Sequence, residues 1–107
     1  MVANYIKVCR EDEVIEGQTR AVTISGQPLI LAKQDGRVYA LEGICSHDGG
    51  EFEAGKHVVE CQIECPRHGA RFDIKTGEAT RMPAVVGINS YEIKIENGDV
   101  YVGVDEQ

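Results

Sequence analysis

The sequence predicts an all-β fold, an antiparallel β-sandwich or small barrel. Three observations carry this. Short segments alternate apolar and polar residues at period two, tight-turn dipeptides separate them, and no long stripe at the helical period of 3.6 occurs. The chain has 107 residues, enough for one core and not for two, so residues 1–107 are read as a single domain.

Taken in order, strands are expected at Tyr5–Cys9 and Thr19–Ile24. A hairpin follows, running from Pro28 to Lys33, turning at Asp35-Gly36 and returning over Arg37–Leu41. Further strands are expected at Val58–Glu64 and Arg71–Ile74, with a tight turn at Thr76-Gly77. Near the end, Tyr91, Ile93 and Ile95 alternate with Glu92, Lys94 and Glu96, and Val100, Val102 and Val104 form the matching strand. Asn97-Gly98 between them is a strong hairpin signal, because both residues tolerate positive φ. The acidic run Glu11-Asp12-Glu13 reads as a solvated turn. No internal repeat, low-complexity segment or linker is evident. Two stretches break the pattern: Glu42–Gly55, rich in glycine and charge, and Cys65–Ala70.

Charge narrows the function classes. Eleven basic and 18 acidic residues give a net charge of −7, which argues against nucleic acid and anionic membranes as partners. Uninterrupted apolar runs reach only four residues, as at Leu29–Ala32, too short to span a bilayer. The N-terminus lacks the basic start and apolar stretch of a signal peptide. A soluble, cytoplasmic protein is expected. Four cysteines are too few for a disulfide scaffold, and spaced Cys and His then read as metal ligands or catalytic groups.

Both breaks contain a Cys followed closely by a His. Cys45-Ser46-His47 has one intervening residue, Cys65-Pro66-Arg67-His68 has two, and residues 48–64 separate the pairs. One thiolate and one imidazole per loop suit zinc or an iron–sulfur centre. A single tetrahedral zinc favours two to four residues between paired ligands. In an extended Cys-x-His the two side chains leave the same face about 6.6 Å apart at Cα, which suits two neighbouring metal atoms better than one. A [2Fe–2S] centre with two Cys on one iron and two His on the other fits this layout. Four thiolates would make the oxidised centre a dianion, whereas two thiolates and two neutral imidazoles leave it neutral. An electron adds more easily to the neutral centre, which raises the potential into a range of about −150 to +300 mV.

These loops, together with Gly69-Ala70-Arg71-Phe72-Asp73 and Thr76-Gly77, resemble the Rieske [2Fe–2S] signature. Val14-x-Glu16-Gly17, the Asp35-Gly36 hairpin running into Tyr39-Ala40-Leu41-Glu42, Pro83-Ala84 and the terminal hairpin resemble Rieske-type ferredoxins of multicomponent oxygenases, including ring-hydroxylating dioxygenases. The resemblance covers nearly the whole chain, and the two-loop motif is highly specific. It implies a Rieske-type fold with a cluster-binding subdomain at about 43–83 and one [2Fe–2S] cluster per chain. It further implies Cys45 and Cys65 on the inner iron and His47 and His68 on the outer, near the surface. Pro83 would belong to a segment folded over the cluster.

The resemblance also marks absences. High-potential relatives carry an extra Cys in each loop, joined as a disulfide, and the matching positions here are Gly50 and Arg67. They also donate hydroxyl hydrogen bonds to the sulfurs from a Ser and a Tyr, and here Ala70 and Phe72 stand there. Fewer donors stabilise the reduced, more negative state less.

Other candidates have plainer readings. Cys9 is expected as a small buried hydrophobe on a strand. Cys61 shares a strand face with Cys65 but lacks the Pro-x-His-Gly continuation, and is expected to be structural. His57 reads as a solvated surface histidine. Gly49, Gly50 and Gly69 are either turn residues or positions where backbone N–H groups approach sulfides. Arg67 reads as a solvated cation, with partner docking as its alternative.

The expected function is one-electron transfer, from a flavin-dependent reductase or another ferredoxin to a terminal oxygenase. The net charge of −7 would steer a monomeric carrier toward partners with basic patches. The chain itself is not expected to be an enzyme. Beyond the ligands only His57 remains for a mononuclear iron site, and no Gly-rich nucleotide fingerprint occurs. The rivals are the small Rieske subunit of an NADH-dependent nitrite reductase, which would co-purify with a large redox subunit, and a zinc-stapled interaction module, which would be silent in electron paramagnetic resonance (EPR). Protein-film voltammetry should place the potential near the low end of the Rieske range, and a value above about +100 mV would contradict the missing-donor argument.

Overall fold

The run Leu29–Ala32 puts apolar side chains on both faces of one strand, so that strand must be covered from both sides. The computed structural model, which describes residues 4–46, 49–53, 55–65 and 69–104, meets this with three antiparallel sheets. Its strands are β1 (Asn4–Arg10), β2 (Thr19–Ile24), β3 (Gln27–Gln34), β4 (Arg37–Glu42), β5 (Gln62–Glu64), β6 (Arg71–Asp73), β7 (Ala79–Arg81), β8 (Ser90–Tyr91), β9 (Ile93–Glu96) and β10 (Asp99–Val104). The sheets run β1-β10-β9, β2-β3-β4-β8 and β5-β6-β7.

The second sheet is the middle layer. Leu29, Leu31, Val38 and Ala40 join Cys9, Val14, Val100 and Val102 in one core. The alternate residues Ile30, Ala32 and Leu41 join Ile63, Phe72, Ile74, Cys45 and Cys65 in a second. Leu29 is 3 % exposed and Ile30, Leu31 and Ala32 are fully buried. The second core lies under the third sheet and the two loops singled out in the sequence.

The turns explain the registers. Ser25-Gly26, Asp35-Gly36 and Asn97-Gly98 each place two successive residues at positive φ, as a two-residue type I′ hairpin requires. A fourth turn corrects an expectation. Glu60 and Cys61 sit at φ 53° and 60°. Val59 and Gln62 exchange backbone hydrogen bonds of 3.0 and 2.9 Å across them. The expected strand Val58–Glu64 is therefore bent back on itself, and only Gln62–Glu64 is strand. Cys61 leaves the strand and shares no strand face with Cys65. Left-handed backbone at a residue other than Gly or Asn costs about 1–3 kcal/mol, so alternation alone gave no turn signal there.

Two further elements carry little pattern. β7 reads Ala-Thr-Arg and is mostly exposed. The acidic run Glu11–Glu13 forms one 3₁₀ turn, with the Arg10 N–H donating to the Glu13 carboxylate at 2.8 Å. No helix among the described residues is long and apolar enough to cross a membrane.

The segment after β7 is locked against Gly77. The Ile88 N–H donates to the Gly77 carbonyl at 2.7 Å. Gly77 has φ +81°, and a Cβ there would lie 1.9 Å from the Ile88 carbonyl oxygen. Gly36 also has positive φ, but a Cβ there would meet nothing within 4 Å. Urea denaturation should therefore show Gly36→Ala losing about 1 kcal/mol, the backbone term alone. Gly77→Ala should lose about 3 kcal/mol or more, because the backbone must also move apart. Equal losses would mean that the Ile88 segment yields freely.

Candidate metal centre

The two breaks in the strand pattern are one construction used twice. The first loop follows β4 and is closed by an antiparallel bridge between Ile44 and Glu51. The second joins β5 to β6 and is closed by the pair Glu64 and Arg71, at the same spacing. The Cys45 N–H donates to the Gly50 carbonyl at 2.8 Å, and the Cys65 N–H to the Ala70 carbonyl at 2.7 Å. Conversely, the Cys45 carbonyl accepts from the Gly49 N–H at 2.8 Å, and the Cys65 carbonyl from the Gly69 N–H at 2.9 Å. Gly49 and Gly69 lie at φ 72° and 77°, and a Cβ at either would meet nothing within 4 Å. Glycine is thus needed for backbone conformation and not for space. Since both amides point at a cysteine carbonyl, the turn role accounts for these two glycines.

The equivalence extends past the loops. Phe52 and Phe72 follow their cysteines at equal distance in the chain, and their rings meet edge to face with centroids 5.6 Å apart. A short internal repeat is therefore present after all: Cys45, Gly49 and Phe52 recur as Cys65, Gly69 and Phe72. It is hard to see in sequence because the histidines break it, lying two residues after Cys45 and three after Cys65.

Cys45 and Cys65 are both fully buried and belong to one apolar cluster with Phe52, Phe72, Ala70 and Ile63. Two buried soft donors from matched loops fit the all-sulfur end of a Rieske cluster. Ala70 and Phe72 are fully buried in the same cluster, and neither side chain carries a hydroxyl. His47, His68 and Arg67 lie outside the described residues.

A third segment closes against the first loop. The Ser46 hydroxyl donates to the Val86 carbonyl. Ala84 and Ile88, buried in the same core as Cys45, anchor that segment on either side of Val86. The segment includes Pro83, whose peptide bond with Met82 is cis. Sequence patterning gave Ser46 no role, since a lone hydroxyl in a loop carries no period.

The remaining candidates separate cleanly. Cys9 lies in the other core, and burial pushes its thiol pKa up despite the opposing charge of Arg20. That makes it an inert hydrophobe. Cys61 is half-buried in its turn, packed against the cluster-side core, and its carbonyl accepts from the Ile74 N–H at 2.9 Å. His57 is exposed and bridges to Gln18 by backbone.

Comparison with known proteins agrees with this geometry. The Rieske [2Fe–2S] domain family matches residues 4–92. The ferredoxin component of the naphthalene 1,2-dioxygenase system of Pseudomonas putida is 34% identical over 97 residues, covering 91% of this chain and 92% of that one. Among solved structures, the ferredoxin of carbazole 1,9a-dioxygenase from Nocardioides aromaticivorans superposes with a TM-score of 0.87 at 26% identity, over 96% of this chain and all of that one. A carbazole 1,9a-dioxygenase ferredoxin in complex with its reduced oxygenase superposes with a TM-score of 0.83 at 28% identity, covering 96% of this chain and 95% of that one. The cofactor is accordingly a Rieske [2Fe–2S] cluster, and the zinc-module alternative falls away. Matched loops, buried cysteines and these relatives together show that the chain belongs to the Rieske [2Fe–2S] family, as a ferredoxin of the kind that carries electrons in dioxygenase systems and not as an enzyme in its own right.

Proposed function

We propose that this chain takes single electrons from a reductase and delivers them to a terminal oxygenase, with Cys45 and Cys65 holding the inner iron and His47 and His68 the outer. The observation that carries the ligand assignment is the burial of Cys45 and Cys65 in one core by two loops of the same construction. His47 and His68 enter on their spacing from those cysteines. The relative captured with its oxygenase supports the choice of acceptor. The naming of its relatives as components of multicomponent systems supports a separate reductase as donor. Residues 43–83 serve as the cluster-binding unit of a single domain over 1–107, with one cluster per chain.

When bound, the cluster accepts and releases one electron. The chain's own residues do the rest. The Cys45 and Cys65 loops exclude water from the sulfur end. Their paired backbone bonds fix both cysteines whichever redox state is present, so little rearrangement accompanies transfer. Ala70 and Phe72 leave the sulfurs without two hydroxyl donors, which favours a potential low in the Rieske range.

Charge is unevenly placed along the sequence. Residues 43–83 hold seven acidic and five basic residues, against eleven and six in the rest of the chain. The excess negative charge lies mostly outside the cluster-binding unit, where it can steer an approach at long range without crowding the contact.

Ligand assignment is tested by single substitutions. Cys45→Ser and Cys65→Ser should each abolish the brown chromophore, the acid-labile sulfide and the EPR signal of the reduced centre. Cys9→Ser and Cys61→Ser should keep all three. His47→Ala and His68→Ala should lose the low g-average of a His-ligated centre or lose the cluster. Iron lost with Cys61→Ser but retained with Cys65→Ser would overturn the assignment. In stopped-flow transfer to an oxygenase, the second-order rate should fall as salt rises, and a rate indifferent to ionic strength would remove the steering.

A further inference from the structure

We propose that the free edge of β9 is a self-recognition site, on which a second copy of this chain pairs as an antiparallel strand across a two-fold axis at Ile95. The inference uses no feature of the metal centre, so it stands or falls apart from the carrier reading.

The edge comes first. Among the described residues β9 ends the first sheet and pairs only with β10. A bare strand edge is a template for another chain. The other edge of this sheet, β1, is blunted by a register shift between Lys7 and Cys9, whereas the register of β9 is unbroken. Hydrogen-bonding direction is the second observation. The Asn97-Gly98 turn is closed by Glu96 opposite Asp99, and Lys94 stands opposite Tyr101. In an antiparallel pair only alternate residues bond to the neighbour. Glu96, Lys94 and Glu92 therefore turn their backbone groups toward β10, and the Gly103 N–H donates to the Glu92 carbonyl at 2.8 Å. Ile93 and Ile95 turn theirs to the open edge. The Ile95 side chain is also 41 % exposed. Beside it lies a cavity of about 370 Å³, walled in part by Val38, Tyr91, Ile93 and Ile95. An apolar side chain brought in on the inner face of an added strand thus meets an apolar wall.

Charge selects the partner and the register. Ile93 and Ile95 oppose the buried Val102 and Val100, so Lys94 and Glu96 lie on the face away from the core. Their side chains are 50 and 54 % exposed, with Nζ 3.1 Å from a carboxylate oxygen. With the axis at Ile95, that residue exchanges both backbone hydrogen bonds with Ile95 of the second copy. Lys94 then stands opposite Glu96 of the second copy, and Glu96 opposite its Lys94, in the closer, non-hydrogen-bonded pairs. Moving the axis by one residue keeps the bonding groups facing each other but sets Lys94 against Lys94, or Glu96 against Glu96. Like charges directly opposite are destabilising, so of these three registers only the one at Ile95 is free of repulsion. Within one chain the Lys94–Glu96 bridge is exposed and worth little. Across the axis the same four charges alternate around a ring. Lys94 is held ready at this edge, 5.4 Å from the centroid of the Tyr5 ring. A strand of four residues makes a small isologous contact, so the pair is reversible and the chain is a monomer at dilution. The contact uses the first sheet, whose core is separate from the one that holds Cys45 and Cys65.

The test is sedimentation velocity on the cluster-loaded chain over a concentration series up to about 1 mM, with Lys94→Glu, Glu96→Lys and the double variant Lys94→Glu/Glu96→Lys. The wild type should pass from monomer to dimer as concentration rises. Each single variant sets like charges opposite at both pairs and should raise the dimer Kd about tenfold. The double variant, which keeps the net charge at −7, should return to the wild-type Kd. An equimolar mixture of the two single variants should form a mixed dimer, since one edge then carries two acidic residues and the other two basic ones. All variants should keep the EPR spectrum and the rate of oxidation by hexacyanoferrate(III), as folded, loaded protein does. A wild type that stays monomeric throughout would overturn the proposal, as would a dimer that neither single variant weakens. Weakening in the single variants with no recovery in the double variant or the mixture would overturn the two-fold register, and the proposal with it. None of these results touches the carrier reading, and a chain lacking acid-labile sulfide would sink that reading while leaving the strand pairing in place.

Discussion

The structure depends on one strand having no exposed face. β3 carries four consecutive buried apolar residues, and because successive side chains point to opposite sides, each neighbour belongs to a different core. Sliding this strand by one residue against β4 would exchange the two cores, so its register is strongly fixed. The Asp35-Gly36 turn sets that register from one end, and Gly43 from the other. There the Gly43 N–H donates to the Pro28 carbonyl at 3.0 Å, and a Cβ at Gly43 would lie 2.8 Å from the same oxygen. The first cysteine loop begins directly after this fixed point. That loop thus hangs from the part of the sheet whose register is fixed at both ends.

From that anchor the same local device is applied twice. A cysteine carbonyl accepts from a left-handed glycine, and the cysteine amide donates across the loop. Each cysteine is then fixed by its own backbone before any metal is considered. Phe52 and Phe72 meet edge to face in the core behind the loops, coupling one to the other. An electron carrier benefits from this arrangement. Residues fixed in this way lower the rearrangement that accompanies each change of charge.

Much of this was legible in the sequence, and the reasons for the exceptions are physical. The hairpins at Asp35-Gly36 and Asn97-Gly98 announce themselves through residues that tolerate positive φ. Turn Glu60-Cys61 does not, since tertiary contacts hold two ordinary residues in a strained conformation. The pairing of Cys61 with Cys65 on one strand face followed from that missed turn. Cys45 and Cys65 stood out because Cys and His recur in both loops, yet the loop equivalence stayed hidden behind the unequal Cys-to-His spacing. β7 is short, mostly exposed and without alternation, so nothing local specifies it. It is held by pairing with β6, in a register that shifts between Arg71 and Phe72 and that no alternation announces.

A shuttle must also release its partners. Redox encounters are small, burying less than about 1,200 Å² in total. Affinity differences between related complexes reside mostly in dissociation rates, so a small contact favours quick release after transfer. Long-range attraction by the negative body of the chain offsets the weakness of such a contact by raising the encounter rate. The two demands on a carrier, frequent meeting and brief residence, thereby fall to different interactions: long-range charge for the first, and a small area of contact for the second.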